Sequence, residues 1–290
     1  MKKLTGVLLG LSFVVGGICT VAAQEGTTPP PKVLVLYREF IKPGKSGSLH
    51  EKSESAFVQA LTKAKSSEHY FAVDSLSGRQ RSLFLFPYDS FDAWEKDVMN
   101  TQKNAALSAA LDRAGIADGE LQSDMDTTVL MYREDQSLRG PVDIAHMRLF
   151  EISLYQVRPG HRKDWDDLVK LVMAAYEKIP DAHWATFEVA YGQQANATYA
   201  IFVPRKAASE IDQSFAQEKD FVKAMGEDGM KKLRELETAA IESTQTNLFV
   251  FNPRMSYPPD AWVKADPDFW KPKAAPAAAK KAADKPVNSQ

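Results

Sequence analysis

Residues 147–165, Met147-Arg-Leu-Phe-Glu-Ile-Ser-Leu-Tyr-Gln-Val-Arg-Pro-Gly-His-Arg-Lys-Asp-Trp165, read as a β-rich run stopped by a Pro-Gly turn and followed by the first turn of a helix. The same phrase occurs earlier in the chain. Phe40-Ile-Lys-Pro-Gly-Lys45 aligns with Gln156-Val-Arg-Pro-Gly-His161 at an offset of 116 residues, and that offset also sets Leu83 to Phe86 on Tyr199 to Phe202, with Pro87 and Pro204 close behind. An offset of 119 sets Val129 to Tyr132 on Leu248 to Phe251. Three collinear matches at nearly constant spacing predict an internal repeat.

Each half carries the same order of elements. In the first, Val33 to Ile41 is β-rich, Ser53 to Lys65 has apolar residues at helical spacing, and His69 to Leu76 and Ser82 to Phe86 flank a Ser77-Gly78-Arg79 turn. Asp89 or Ser90 caps a helix, a second helical stretch follows around Ala105 to Ala114, and Asp118-Gly119 marks the exit before a closing strand at Thr127 to Arg133. In the second, strand Met147 to Val157 precedes a helix striped by Trp165, Leu168, Val169, Val172, Ala175, Tyr176 and Ile179. Strands Trp184 to Tyr191 and Thr198 to Val203 flank a turn at Gly192 to Asn196. A helical region from Ala207 to Ser243, interrupted near Gly226 and Gly229, leads to a last strand at Asn247 to Phe251. Strand, helix, strand, strand, helix, strand is a ferredoxin-like plan, which leaves one sheet face bare. The fold class is therefore α+β: two tandem ferredoxin-like (βαββαβ) repeats, 33–140 and 141–253, whose bare sheets pack on each other.

The opening at Met147 to Trp165, repeated at Val33 to Lys45, resembles that of dimeric α+β barrel domains, notably the NIPSNAP, EthD and antibiotic-monooxygenase-like groups. The resemblance covers roughly Val33 to Pro253 and implies an intramolecular dimeric α+β barrel. The superfamily hosts monooxygenases, isomerases and haem-handling enzymes, so the likeness implies a fold and no single reaction.

The flanks point to export. Lys2 and Lys3, an apolar run from Val7 to Ile18 and Val21-Ala22-Ala23 form a signal-peptide layout over 1–23, too short to span a bilayer, and no other stretch comes close. The expected address is periplasmic or secreted. With Cys19 removed, the mature chain holds no cysteine, which excludes disulfides, thiolate metal sites and a cysteine nucleophile. It carries 34 basic against 38 acidic residues, so no general basic excess recruits nucleic acid. Residues 24–32 read as a linker and 254–270 as an aromatic, proline-rich strap. Residues 271–290, with five lysines and one aspartate, read as a disordered tail that either touches an anionic surface or is a solvated spacer.

The chemistry is less legible. There is no Gly-rich phosphate loop, Gly-x-Ser-x-Gly elbow or paired-cysteine motif. The histidines at 50, 69, 146, 161 and 183 show no metal-ligand spacing, so no metal site is assigned; His50, in a Ser-rich loop, and His161 read as exposed. A haem reading needs one histidine as axial ligand, and nothing selects which. Polar residues in the strands are more informative. Tyr37 and Glu39, with Glu151, Ser153 and Tyr155, share a parity on the first strands of the two halves, and Glu188 and Tyr199 could join them in one lined cavity. A desolvated Glu39 or Glu151 there would be a general base for isomerase or cofactor-free oxygenase chemistry, with Tyr37 or Tyr155 as donor. The alternatives are a non-catalytic module holding a small apolar or aromatic ligand, and strand carboxylates merely paired with Arg38, Arg148 or Arg158.

Overall fold

Eight strands, β1 Val33–Ile41, β2 Tyr70–Ser75, β3 Arg81–Tyr88, β4 Gln122–Tyr132, β5 Leu149–Val157, β6 Ala185–Tyr191, β7 Thr198–Arg205 and β8 Ile241–Tyr257, close into one antiparallel barrel in the order β1-β3-β2-β8-β5-β7-β6-β4. This computed structural model describes residues 26–192 and 197–271. The expected signal peptide, the tail beyond Lys271 and the centre of the turn expected at Gly192 to Asn196 lie outside the described residues.

β1 to β4 form one half of the barrel and β5 to β8 the other. The two halves meet edge to edge, β2 on β8 and β4 on β6. The sheets thus do not stack face to face as the sequence suggests; shared edges close them into a barrel, and the space each would leave bare becomes a common lumen. Leu34, Phe71, Val73, Leu85, Phe150, Ile152, Phe202, Phe249 and Phe251 fill that lumen.

Outside, α1 Ser48–Ala64, α2 Phe91–Lys103 and α3 Ala105–Gly119 belong to the first half, and α4 Arg162–Tyr176, α5 Ser209–Ala216 and α6 Glu218–Ala240 to the second. α1 lays Val58 and Leu61 against Tyr70 and Phe84, while α4 and α6 bury Trp165, Leu168, Leu233 and Leu236 against Val157 and Tyr199. Gly226, at φ 70°, breaks α6 where an interruption is expected. No helix among the described residues is long and apolar enough to cross a membrane.

Several boundaries move. β8 continues to Tyr257, pairing with Tyr70, so the expected strap begins inside the barrel wall. The rest of it folds as α7 Asp260–Ala265 and α8 Pro267–Trp270, whose Trp262 and Trp270 rings pack into the lumen core while Trp270 Nε1 donates to the Ala145 carbonyl at 2.9 Å. The linker is anchored at Thr28, which forms an antiparallel bridge with Val142.

One register also changes. Glu39 lies opposite Ser82 and Tyr155 opposite Tyr199, so the third strands of the halves correspond at an offset of 117, which puts Pro87 on Pro204. A slip of one residue exchanges the two faces of a strand.

Candidate metal centre

The parity shared by Tyr37, Glu39, Glu151, Ser153 and Tyr155 points away from the lumen. Leu34 and Leu36 on β1, and Phe150, Ile152 and Leu154 on β5, face inward, so the intervening residues meet the helices. The single shared cavity therefore does not exist; its expected members divide between two helix–sheet seams on opposite halves.

In the first seam Glu39 meets His50, which the sequence pattern places in solvent but which is buried. Gly47, at φ 69°, turns the chain into α1 at Ser48, five residues before the expected start. His50 then lies in the first turn, with Glu54 one turn on along the same face. Asp118 arrives from the end of α3. Glu39, His50, Glu54 and Asp118 are 8%, 2%, 3% and 0% exposed, and one ligand atom from each lies within 4.8 Å of all the others.

His50 Nε2 is the centre of convergence, 3.1 Å from Glu39 Oε2, 3.8 Å from Glu54 Oε1 and 3.7 Å from Asp118 Oδ1. Its other nitrogen is held from behind. The Ser82 hydroxyl gives its proton to Asp74 Oδ1 at 2.5 Å, so at 3.5 Å from His50 Nδ1 it can only accept. Asp74 in turn accepts from Asn252 Nδ2 at 2.8 Å. With Nδ1 protonated, a neutral imidazole aims its Nε2 lone pair at three carboxylates. Such an arrangement needs a positive charge in the middle, a proton or a metal ion. Donation of the rear N–H to a fixed acceptor is also how metal-binding histidines are oriented.

Two of the carboxylate oxygens lack any partner. Glu54 Oε1 and Asp118 Oδ1 are buried with no hydrogen bond, although Gln122 Nε2 donates to Asp118 Oδ2 at 2.5 Å. Asp118 also sits in the last turn of α3, at the negative end of the helix dipole. Burial and the charges of Glu39 and Asp118 push the Glu54 carboxyl up to about 10. Glu39 is raised by burial, against the lowering effect of the His50 hydrogen bond. Burial would lower His50, but its hydrogen bond to Glu39 and the charges of Asp118, Glu39 and Asp74 raise it.

The second seam differs. Tyr155 and Tyr199 pack around Trp165, with ring centroids 5.3 and 4.7 Å away. Glu151 accepts from Arg205 Nη2 at 3.2 Å, which removes it as a free base, and Ser153 exchanges a hydrogen bond with Thr246 at 2.8 Å. Glu188 is held by Arg133 at 2.7 Å and by Arg162. Glu151, Ser153 and Tyr155 line a cleft of about 1250 Å³ with Trp165, Tyr176 and Trp184. Its histidine, His183, sits with Nδ1 2.7 Å from the Asp181 carbonyl and Nε2 3.0 Å from the Pro204 carbonyl, so one ring nitrogen is committed to the backbone. Tyr37 stays in the first half, edge-on to Phe86 at 5.3 Å.

No family model and no curated protein matches the chain. Among solved structures, it is similar to a candidate monooxygenase from Fusobacterium nucleatum subsp. nucleatum, at 11% identity and a TM-score of 0.48 over 77% of this chain and 93% of that one. An anthrone oxidase-like protein matches at 9% identity and 0.47, over 79% and 92%. Chlorite dismutase from Candidatus Nitrospira defluvii matches at 9% identity and 0.43, over 81% and 95%. Likenesses this distant transfer no chemistry, and the site is read from its own residues.

Proposed function

We propose that the protein is an exported metal-binding module whose first helix–sheet seam holds one divalent first-row cation through Glu39, His50, Glu54 and Asp118. The observation that carries this is the convergence of four buried donor atoms on one point, two of them carboxylate oxygens without a hydrogen bond. A tetrahedral site with bonds of about 2.1 Å has ligand–ligand edges of roughly 3.4 Å, close to the separations around His50 Nε2. One imidazole with three carboxylates suits Zn²⁺, Mn²⁺ or Fe²⁺ better than the all-oxygen preference of Ca²⁺ or the soft preference of Cu⁺; a closed set of four protein ligands is the number that structural Zn²⁺ takes. With all donors buried and four-coordinate, the ion would be a structural or stored one, and Glu39 a ligand instead of a base.

The closed barrel with outer helices supports the dimeric α+β barrel reading. The common strand order of the halves, 4-1-3-2 and 8-5-7-6, supports tandem ferredoxin-like repeats. Export rests on the N-terminal layout alone. A second reading, the small apolar or aromatic ligand expected from the sequence, is favoured by the aromatic walls of the second-half cleft.

Competition titration of the chelator-stripped full chain with Zn²⁺ tests the metal reading. One equivalent binds to the wild type, and His50→Gln and Glu54→Gln each weaken binding by at least about 100-fold, exceeding the upper end of outer-shell effects. Equal affinity in all three proteins rejects the site.

A further inference from the structure

The lumen itself holds a charge that the chain does not neutralise. Arg38 and Arg81 share the inward parity of β1 and β3 and line the same small cavity, of about 50 Å³, with Leu36, Leu154 and Phe249. Arg38 is matched, since directly opposite it on β4 Asp126 accepts from Nε at 3.0 Å and from Nη2 at 2.5 Å. Arg81 is not. It is 8% exposed, and among the described residues no carboxylate lies within ion-pair distance of it. Its guanidinium donates from Nη1 to the Arg79 carbonyl at 2.7 Å and lies over the Phe249 ring at 4.9 Å. Burial and the neighbouring charges of Arg38 and Arg79 weaken its hold on the proton, an unfavourable setting for a cation. A guanidinium presents five donors in a planar fork, and a buried one without an anion is costly.

The surrounding turn is built around this group. Gly78, at φ 75°, lets the hairpin close over the lumen: a Cβ there would come within 2.3 Å of Asn247 Oδ1 and 3.3 Å of Arg81 Nη1. Asn247, buried on β8, also lines the cavity.

We infer that this end of the lumen binds a small monocarboxylate of formate to acetate size, its carboxylate on the free donors of Arg81 and its apolar end against Leu36, Leu154 and Phe249. The small volume of the cavity favours short acids over long ones. A planar carboxylate matches the guanidinium fork better than a spherical halide. This site is independent of the metal seam, which lies on the other face of β1.

Thermal unfolding of the full chain in sodium acetate, against sodium chloride and sodium hexanoate at equal ionic strength, tests it. Acetate raises the Tm of the wild type in a saturable way, chloride and hexanoate do not, and His50→Gln keeps the acetate response. Arg81→Met abolishes the response yet unfolds without acetate at a temperature equal to or above the wild type, because it removes a buried unmatched charge. The inference is overturned if acetate gives no more than chloride, or if Arg81→Met responds as the wild type does. A competition experiment following the line width of ¹³C-acetate checks occupancy where Tm changes are small: broadening in the wild type and none in Arg81→Met supports the site, and equal line widths reject it.

Discussion

The two helix–sheet seams occupy corresponding places on one barrel and are filled in opposite ways. Where β1 offers Glu39 opposite Ser82, β5 offers Tyr155 opposite Tyr199. Where α1 contributes His50 and Glu54, α4 contributes Trp165, whose ring stacks on Tyr199 and whose Nε1 donates to Gln136 Oε1 at 3.1 Å. The second seam is filled with rings and pairs its acids with arginines, and its unbonded buried atoms, Tyr199 Oη and Arg205 Nε, are not carboxylate oxygens. The first has donors that repel one another until something positive joins them. One scaffold thus carries a seam built of packed rings and a seam built of clustered acids around a histidine.

The largest expected effect lies in the aromatic seam. Trp165→Ala removes its central ring and costs about 3–5 kcal/mol in denaturant unfolding, with Zn²⁺ stoichiometry unchanged; loss of metal in that variant would show that the seams are not independent.

The next effect is on pH dependence. Glu39, His50 and Glu54 are all raised in the folded chain, so it holds more protons than the unfolded chain. Their contribution is full below the ordinary carboxyl range and is lost as pH rises toward about 10, the value for Glu54. Metal-stripped protein is therefore expected to lose several degrees of Tm between about pH 6 and pH 9. Zn²⁺ flattens that slope by taking the place of the protons. A stripped protein whose Tm rises over this range would contradict the assigned shifts.

Smaller effects come from the supports. Ser82→Ala leaves His50 Nδ1 without its acceptor and weakens Zn²⁺ binding by about 10-fold in the same titration. Glu188→Gln opens the partly exposed pairs with Arg133 and Arg162 at a cost under about 1 kcal/mol and leaves metal binding untouched.

Strand positions and their order were readable because β-rich runs are punctuated by Pro-Gly, Gly78 and Asp118-Gly119. Which face of β1 looks inward was not, since Leu34 and Val35 are both buried, one in the lumen and one under α2. The run Leu83-Phe-Leu-Phe86 is apolar on both faces for the same reason, so it fits an offset of 116 as well as 117. Glu39 was legible as an acid in an apolar strand. His50 was missed because glycine at 47 starts the helix earlier than the apolar pattern does; its spacing from Glu54, one helical turn, was the available signal. Asp118 read as punctuation, and only the packing of α3 against α1 brings it to His50.

Whether the first seam holds an ion can be seen directly. Anomalous diffraction at the zinc edge, from crystals of the full chain grown with one equivalent of Zn²⁺, should show a single strong peak about 2.0–2.2 Å from His50 Nε2 and from one oxygen each of Glu39, Glu54 and Asp118. A peak elsewhere, with those four side chains still facing one another across a metal-free seam, would contradict the metal reading.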